Sequence, residues 1–297
     1  MKYLAFLISL LLSATSLHAI VPEKITTMRK AFRGGEFMAS KGVTEATEVY
    51  KTIGDRKLKV QLHFPPDWKA DDKRPVMIFF FGGGWNGGTT DQFLVQADYF
   101  ASKGIVTARA DYRVKSRDGV TPYQCSEDAR SAVRWLRKHS GELGIDPEKL
   151  ISSGGSAGGH LAYAVSIKNG ADDPTDDKKI SSIPQAMVLY NPAMFPSNTE
   201  SAKNRMGTGP DALKQLKRIA PLDHVYKSNP PALIMFGTND GLKAGGDEYV
   251  KRAKEAGVRA EMWIAEGQKH SFFNEKLWRT KTTQAVEEFL SSLGYLK

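Results

Sequence analysis

Residues 150 to 167 read LISSGGSAGGHLAYAVSI: an apolar stretch, then Gly154-Gly155-Ser156-Ala157-Gly158, then a second apolar stretch with no proline to break it. A strand that turns at once into a helix has room only for small side chains at the turn. A serine at the centre of that turn is lifted above the end of the sheet, with a helix N-terminus aimed at any charge developing beside it. The five residues therefore read as G-x-S-x-G in its strand–turn–helix context, with Ser156 as a candidate nucleophile. A plain turn of small residues is the competing reading, and it would require neither the strand nor the helix.

The chain around this turn has a matching rhythm. TEVYKTI and LKVQLHF flank Gly54 and Asp55 and predict an antiparallel hairpin between Thr47 and Phe64. Apolar runs then alternate with helical stretches. The strands are expected at VMIFFF (76–81), IVTARA (105–110), LISSGG (150–155), AMVLYN (186–191), ALIMFGT (232–238) and EMWIAE (261–266). Helices are expected at 91–103, from about Ser126 to His139, at 157–167, ahead of Gly257, and from Thr280 to Leu293. Near-continuous apolar strands must be covered on both faces, so the fold class is α/β, with a mostly parallel, doubly wound sheet between two helical layers. The polar connection 193–231, rich in proline and glycine, is expected to form a small lid or pocket wall with one helical segment near Asp211 to Ile219.

Candidate chemistry gathers at the C-terminal ends of these strands. Phe81 is followed by Gly82, Gly83 and Gly84, where bare amides can approach a substrate oxygen closely. The amides of Gly83, Gly84 and Ala157 are the expected oxyanion donors. A phosphate cradle is disfavoured because the Lys-Ser/Thr pair of a P-loop is missing. Of the six histidines, only His160, His224 and His270 follow Ser156. His160 lies within the helix after the turn and is expected to face the interior or a neighbouring loop. His224 precedes the strand expected to carry the acid, which leaves His270 as base in a serine–acid–histidine chain order. Asp240, in the loop after ALIMFGT, is the expected acid, and Asp247, Glu248 and Asp223 are its competitors. Trp85, beside the glycines, and Asn191, at the end of AMVLYN, are expected to contact substrate. No metal site and no cofactor are expected, because no histidine–carboxylate cluster stands at ligand spacing.

The first nineteen residues carry Lys2, an apolar run from about Leu4 to Leu12 and small residues up to Ala19. They predict a signal peptide at 1–19 with a secreted or periplasmic protein after cleavage, since a stable membrane span needs about 20 apolar residues. Leu17 at the −3 position keeps cleavage after Ser16, or retention as an anchor, as alternatives. Residues 20–297 are expected to form a single catalytic domain. The single cysteine, Cys125, permits no intrachain disulfide and is read as a buried thiol. A formal charge of +9 is spread along the chain without aromatic interleaving, which argues for a solvated basic surface and against nucleic-acid binding.

With these motifs placed, residues from about Val60 to Leu293 resemble the hormone-sensitive-lipase-like and acetyl-esterase branches of the α/β-hydrolase superfamily. The matching stretches are FFFGGGW, the DYR at Asp111 to Arg113, SEDARSAVRWLR, GIDPEKL and GGSAGGHLA. The resemblance implies Ser156, Asp240 and His270 as triad, Gly83, Gly84 and Ala157 as oxyanion donors, and Asp128 as a supporting structural acid. Phe81 departs from the histidine that usually opens the glycine motif. Val21 to Thr44 is short for a full helical cap, which implies an open pocket. The expected activity is a serine carboxylesterase acting on short acyl esters, small-molecule or carbohydrate, with acetylated sugars favoured. A peptidase or lipase of the same fold is the alternative within enzymes, and a non-catalytic binding protein the alternative outside them.

Overall fold

The computed structural model describes residues 40–206 and 211–296, together with 31–32, 35–36 and 209. The expected signal peptide and most of the stretch 21–44 lie outside the described residues. The main sheet contains β1 (Thr44–Ile53), β2 (Arg56–Phe64), β3 (Arg74–Phe80), β4 (Val106–Ala110), β5 (Ile145–Gly155), β6 (Ala186–Tyr190), β7 (Ala232–Gly237) and β8 (Ala260–Ala265). Their spatial order is β8-β7-β6-β5-β3-β4-β2-β1. Only β2 runs against its neighbours, pairing antiparallel with both β1 and β4; every other recorded pair in this sheet is parallel. The hairpin forms as the sequence predicts, with Ile53 opposite Arg56 across Gly54 and Asp55. A separate pair of two-residue strands joins Ala31–Phe32 to Gly35–Glu36.

Helices cover both faces. Successive residues of β3 point in opposite directions, so Val76, Ile78 and Phe80 enter one core while Met77 and Phe79 enter the other. The first core is closed by α2 (Pro122–Lys138), α3 (Ala157–Ala164) and α6 (Lys243–Glu255), through residues such as Val133, Leu136, Leu161 and Tyr249. The second is closed by α1 (Leu94–Ser102) and α7 (Lys276–Ser292), through Ala97, Phe100, Val286 and Phe289.

Three departures from the expectation have a local reason. Helix α2 begins at Pro122 rather than Ser126, because Thr121 and Gln124 form a capping box and proline suits the first helical position. Helix α3 ends at Ala164 rather than Ile167. There the Arg130 guanidinium donates to the carbonyls of Ala164, Val165 and Ile167 and holds the chain as it leaves the helix. The 193–231 connection holds two helices, α4 (Glu200–Met206) and α5 (Ala212–Lys217), where one was expected. They share a small core of Ala202, Met206, Leu216 and Ile219 with Tyr123 of α2.

Candidate active site

The turn after β5 is built by close approach. A Cβ on Gly158 would stand 2.1 Å from the Phe80 carbonyl oxygen, and one on Gly154 would stand 2.3 Å from the Gly158 carbonyl oxygen, so only glycine lets α3 start against β3. Ser156 itself holds φ 55° and ψ −116°, a left-handed setting that L side chains avoid. Its N–H donates to the Tyr190 carbonyl at 2.9 Å, and its own carbonyl accepts from the Ala193 and His160 N–H groups at 3.1 and 3.0 Å. These bonds fix the turn while the hydroxyl faces His270.

His270 arrives in the loop after β8, and Asp240 in the loop after β7. His270 Nε2 lies 2.8 Å from Ser156 Oγ, and His270 Nδ1 lies 2.8 Å from Asp240 Oδ2. The Asp240 carboxylate is fully buried and its Oδ1 accepts from the Leu242 N–H at 2.8 Å, whereas the imidazole keeps a third of its surface open. The three side chains thus form one line from a buried acid to an accessible hydroxyl. The rival acids are engaged elsewhere: Asp247 with Lys243, Glu248 with Arg252, and Asp223 with the Ser197 N–H.

In the loop after β3, whose Gly82 lies against Ser156, Gly83 and Gly84 adopt φ 127° and 63°, and their amides donate to no group among the described residues. Gln92 Oε1 accepts from the Gly82 N–H at 2.6 Å and anchors the loop's entry. Phe81, standing where the related motif has histidine, stacks on Tyr112 at 4.1 Å between centroids; the Tyr112 hydroxyl donates to the Phe81 carbonyl at 2.6 Å. Gln92 and Tyr112 escaped the sequence reading. Tyr112 lies within the quoted DYR stretch, but nothing local signals either contact.

The two expected substrate contacts are both buried. Trp85 is buried, with its indole N–H donating to His160 Nδ1 at 3.3 Å and Arg205 standing over its ring at 5.2 Å. Asn191 is fully buried, and its amide lies against His270. His160 faces inward as expected, with Nε2 2.8 Å from the Ile219 carbonyl of the 193–231 connection and its ring stacked on Phe195. Burial pushes its imidazole down to about 4. Cys125 is a free buried thiol 3.1 Å from the Arg113 carbonyl, and burial raises it far above the usual thiol range. Asp128 is buried beneath Arg113, whose Nε, Nη2 and backbone N–H donate to it at 2.7, 2.8 and 3.1 Å, while Lys51 adds a fourth donor at 2.8 Å. It braces the segment after β4 and lies apart from the triad's hydrogen bonds.

The fold and its relatives define the class: a serine carboxylic ester hydrolase on the α/β-hydrolase fold. Within it the chain belongs to the BD-FAE family, whose model matches residues 60–243. It is similar to the carboxylesterase NlhH of Mycobacterium tuberculosis, 24% identical over 87% of this chain and 84% of that protein. An ethyl acetate hydrolase of Pseudomonas putida is 25% identical over 72% and 71% of the two chains. Among solved structures, Thermogutta terrifontis esterase 2 with propionate bound superposes with a TM-score of 0.78 at 38% identity, covering 86% of this chain and 96% of that one. The same esterase has also been solved phosphorylated by paraoxon, at 39% identity.

Proposed function

We propose that the protein hydrolyses short-chain acyl esters through an acyl-enzyme on Ser156, with His270 as base and Asp240 as the acid that holds it. The observation that carries this reading is the line Ser156–His270–Asp240, closed at 2.8 and 2.8 Å. As Ser156 Oγ attacks the ester carbonyl carbon, its proton passes to His270 Nε2, and Asp240 steadies the imidazolium through Nδ1–H. The carbonyl oxygen turns anionic and is received by the free amides of Gly83 and Gly84 and by that of Ala157, each donor being worth about 10²–10³ in rate. His270 then protonates the departing alcohol oxygen and the C–O bond breaks, leaving an acyl ester on Oγ. Water, deprotonated by the same imidazole, attacks that ester and restores the serine.

The short-acyl preference is supported by the relatives: one is named for ethyl acetate, and esterase 2 has been solved with propionate and with butyrate bound. The segment 1–19 is read as the export signal, which would bring the enzyme to extracellular or periplasmic esters, acetylated carbohydrate among them. The test is kcat/KM for p-nitrophenyl acetate, butyrate and octanoate, with acetyl release from acetylated xylan measured beside them. Acetate and butyrate should exceed octanoate by about tenfold or more, because each misplaced methylene in a small pocket costs about 1–3 kcal/mol. Acetyl release from xylan that vanishes in Ser156→Ala would extend the reading to carbohydrate, and equal rates across the ester series would overturn the short-acyl preference.

A further inference from the structure

Asn191 follows β6, the strand between β5, which carries Ser156, and β7, which leads to Asp240. Its N–H donates to the Met235 carbonyl at 2.7 Å, its φ is 34°, and it is fully buried. These constraints aim its amide at one atom. Asn191 Nδ2 lies 2.8 Å from His270 Nδ1, the same nitrogen that has Asp240 Oδ2 at 2.8 Å, while Asn191 Oδ1 is buried with no partner among the described residues.

A single ring nitrogen cannot serve both neighbours in that orientation. When Nδ1 carries the hydrogen that it donates to Asp240, it has no lone pair left for an Asn191 N–H, and two donors would face each other at 2.8 Å. Turning the amide by 180° keeps its shape and exchanges the two atoms. Oδ1 then meets the hydrogen on Nδ1 and gains the donor it otherwise lacks, while Nδ2 takes the buried position in its place, so the turn removes the two opposed donors and leaves one amide group without a recorded partner.

We infer that Asn191 is a second positioning residue for His270, sharing the Nδ1 hydrogen with Asp240 and holding the imidazolium at that same nitrogen while it carries the Ser156 proton. The inference rests on the triad reading. Because Asn191 and Asp240 converge on the same atom from adjacent strand ends, a carboxylate at either position should be able to orient the base.

The test exchanges the two side chains. Asp240→Asn should lose about 10⁴ in kcat, and Asp240→Asn combined with Asn191→Asp should recover at least about a hundredfold of that loss, a return that a merely structural residue would not produce. A folded double variant no more active than Asp240→Asn overturns the inference. If the double variant does not fold, Asn191→Ala alone decides: kcat should fall about tenfold, the worth of one hydrogen bond, with KM within about twofold, and an unchanged kcat overturns the inference. Near-normal activity in Asp240→Asn itself would instead overturn the triad reading, and this inference with it.

Discussion

His160 shows what a single buried side chain can do to the stability of this enzyme. It lies one helical turn beyond Ser156, fully buried, between the Trp85 indole N–H and the Ile219 carbonyl. Its folded value of about 4 lies below the ordinary 6.5, chiefly because burial penalises the charged ring, with Arg205 adding to the effect. The unfolded chain therefore takes up a proton first as the pH falls. The stability this residue contributes is complete above pH 6.5 and is lost as pH drops from there towards 4, by about 3 kcal/mol. Denaturant unfolding of the wild type and His160→Gln at pH 7 and pH 4.5 should show about 2 kcal/mol of extra loss in the wild type; parallel pH dependences would contradict it. Four non-glycine residues with positive φ also stand at the site among those described: Trp85, Ser156, Asn191 and Ser271. Each such setting costs about 1–3 kcal/mol and survives only where surrounding bonds impose it. The setting of Ser156 was legible, because its small neighbours announce the turn. Those of Trp85, Asn191 and Ser271 were not, since the contacts that impose them come from other strands and loops.

Among elements, α2 does the most to hold the layout together. Its arginines clamp the connection that links α3 to β6. Arg130 donates to three carbonyls and Asp172, Arg134 to Ile180 O, Asp172 and Asp176, and Arg137 to the carbonyls of Ser181 and Ile183. These are buried, charge-assisted bonds, so removing one partner strands several acceptors at once. Arg130→Ala should therefore lower unfolding stability by about 3 kcal/mol, read by chemical denaturation, and a change under about 1 kcal/mol would mean the clamp is redundant. The strands were legible because buried parallel strands are continuously apolar. The start of α2 was misplaced because its cap lies in Thr121 and Gln124, upstream of the amphipathic stripe that marks the helix. Helix α4 was missed because Glu200–Met206 is polar apart from Ala202 and Met206, and its folding depends on the apolar contact with α5 and Tyr123. The SEDARSAVRWLR stretch contains the clamp itself.

At the scale of the whole molecule, the fold class and the convergence of Ser156, His270 and Asp240 were readable because chain order, strand ends and turn chemistry constrain one another; the strand order β8-β7-β6-β5-β3-β4-β2-β1 was not, being set by packing between distant segments. The proposed export has a direct check. Protein recovered from the periplasm or medium of an expressing cell should begin at Ile20, and protein that keeps Met1 and remains in the cytosol would contradict a cleaved signal at 1–19. The central claim, that Ser156 is the attacking group, is tested most directly by intact-mass and peptide mapping after reaction with paraoxon. Attack by Oγ forms an O–P bond and expels p-nitrophenolate, so the wild type should gain one diethylphosphoryl group per chain, on Ser156, with esterase activity falling in step. Ser156→Ala should gain none. A wild type that hydrolyses esters yet is labelled at another residue, or a labelled Ser156 with activity intact, would contradict the account.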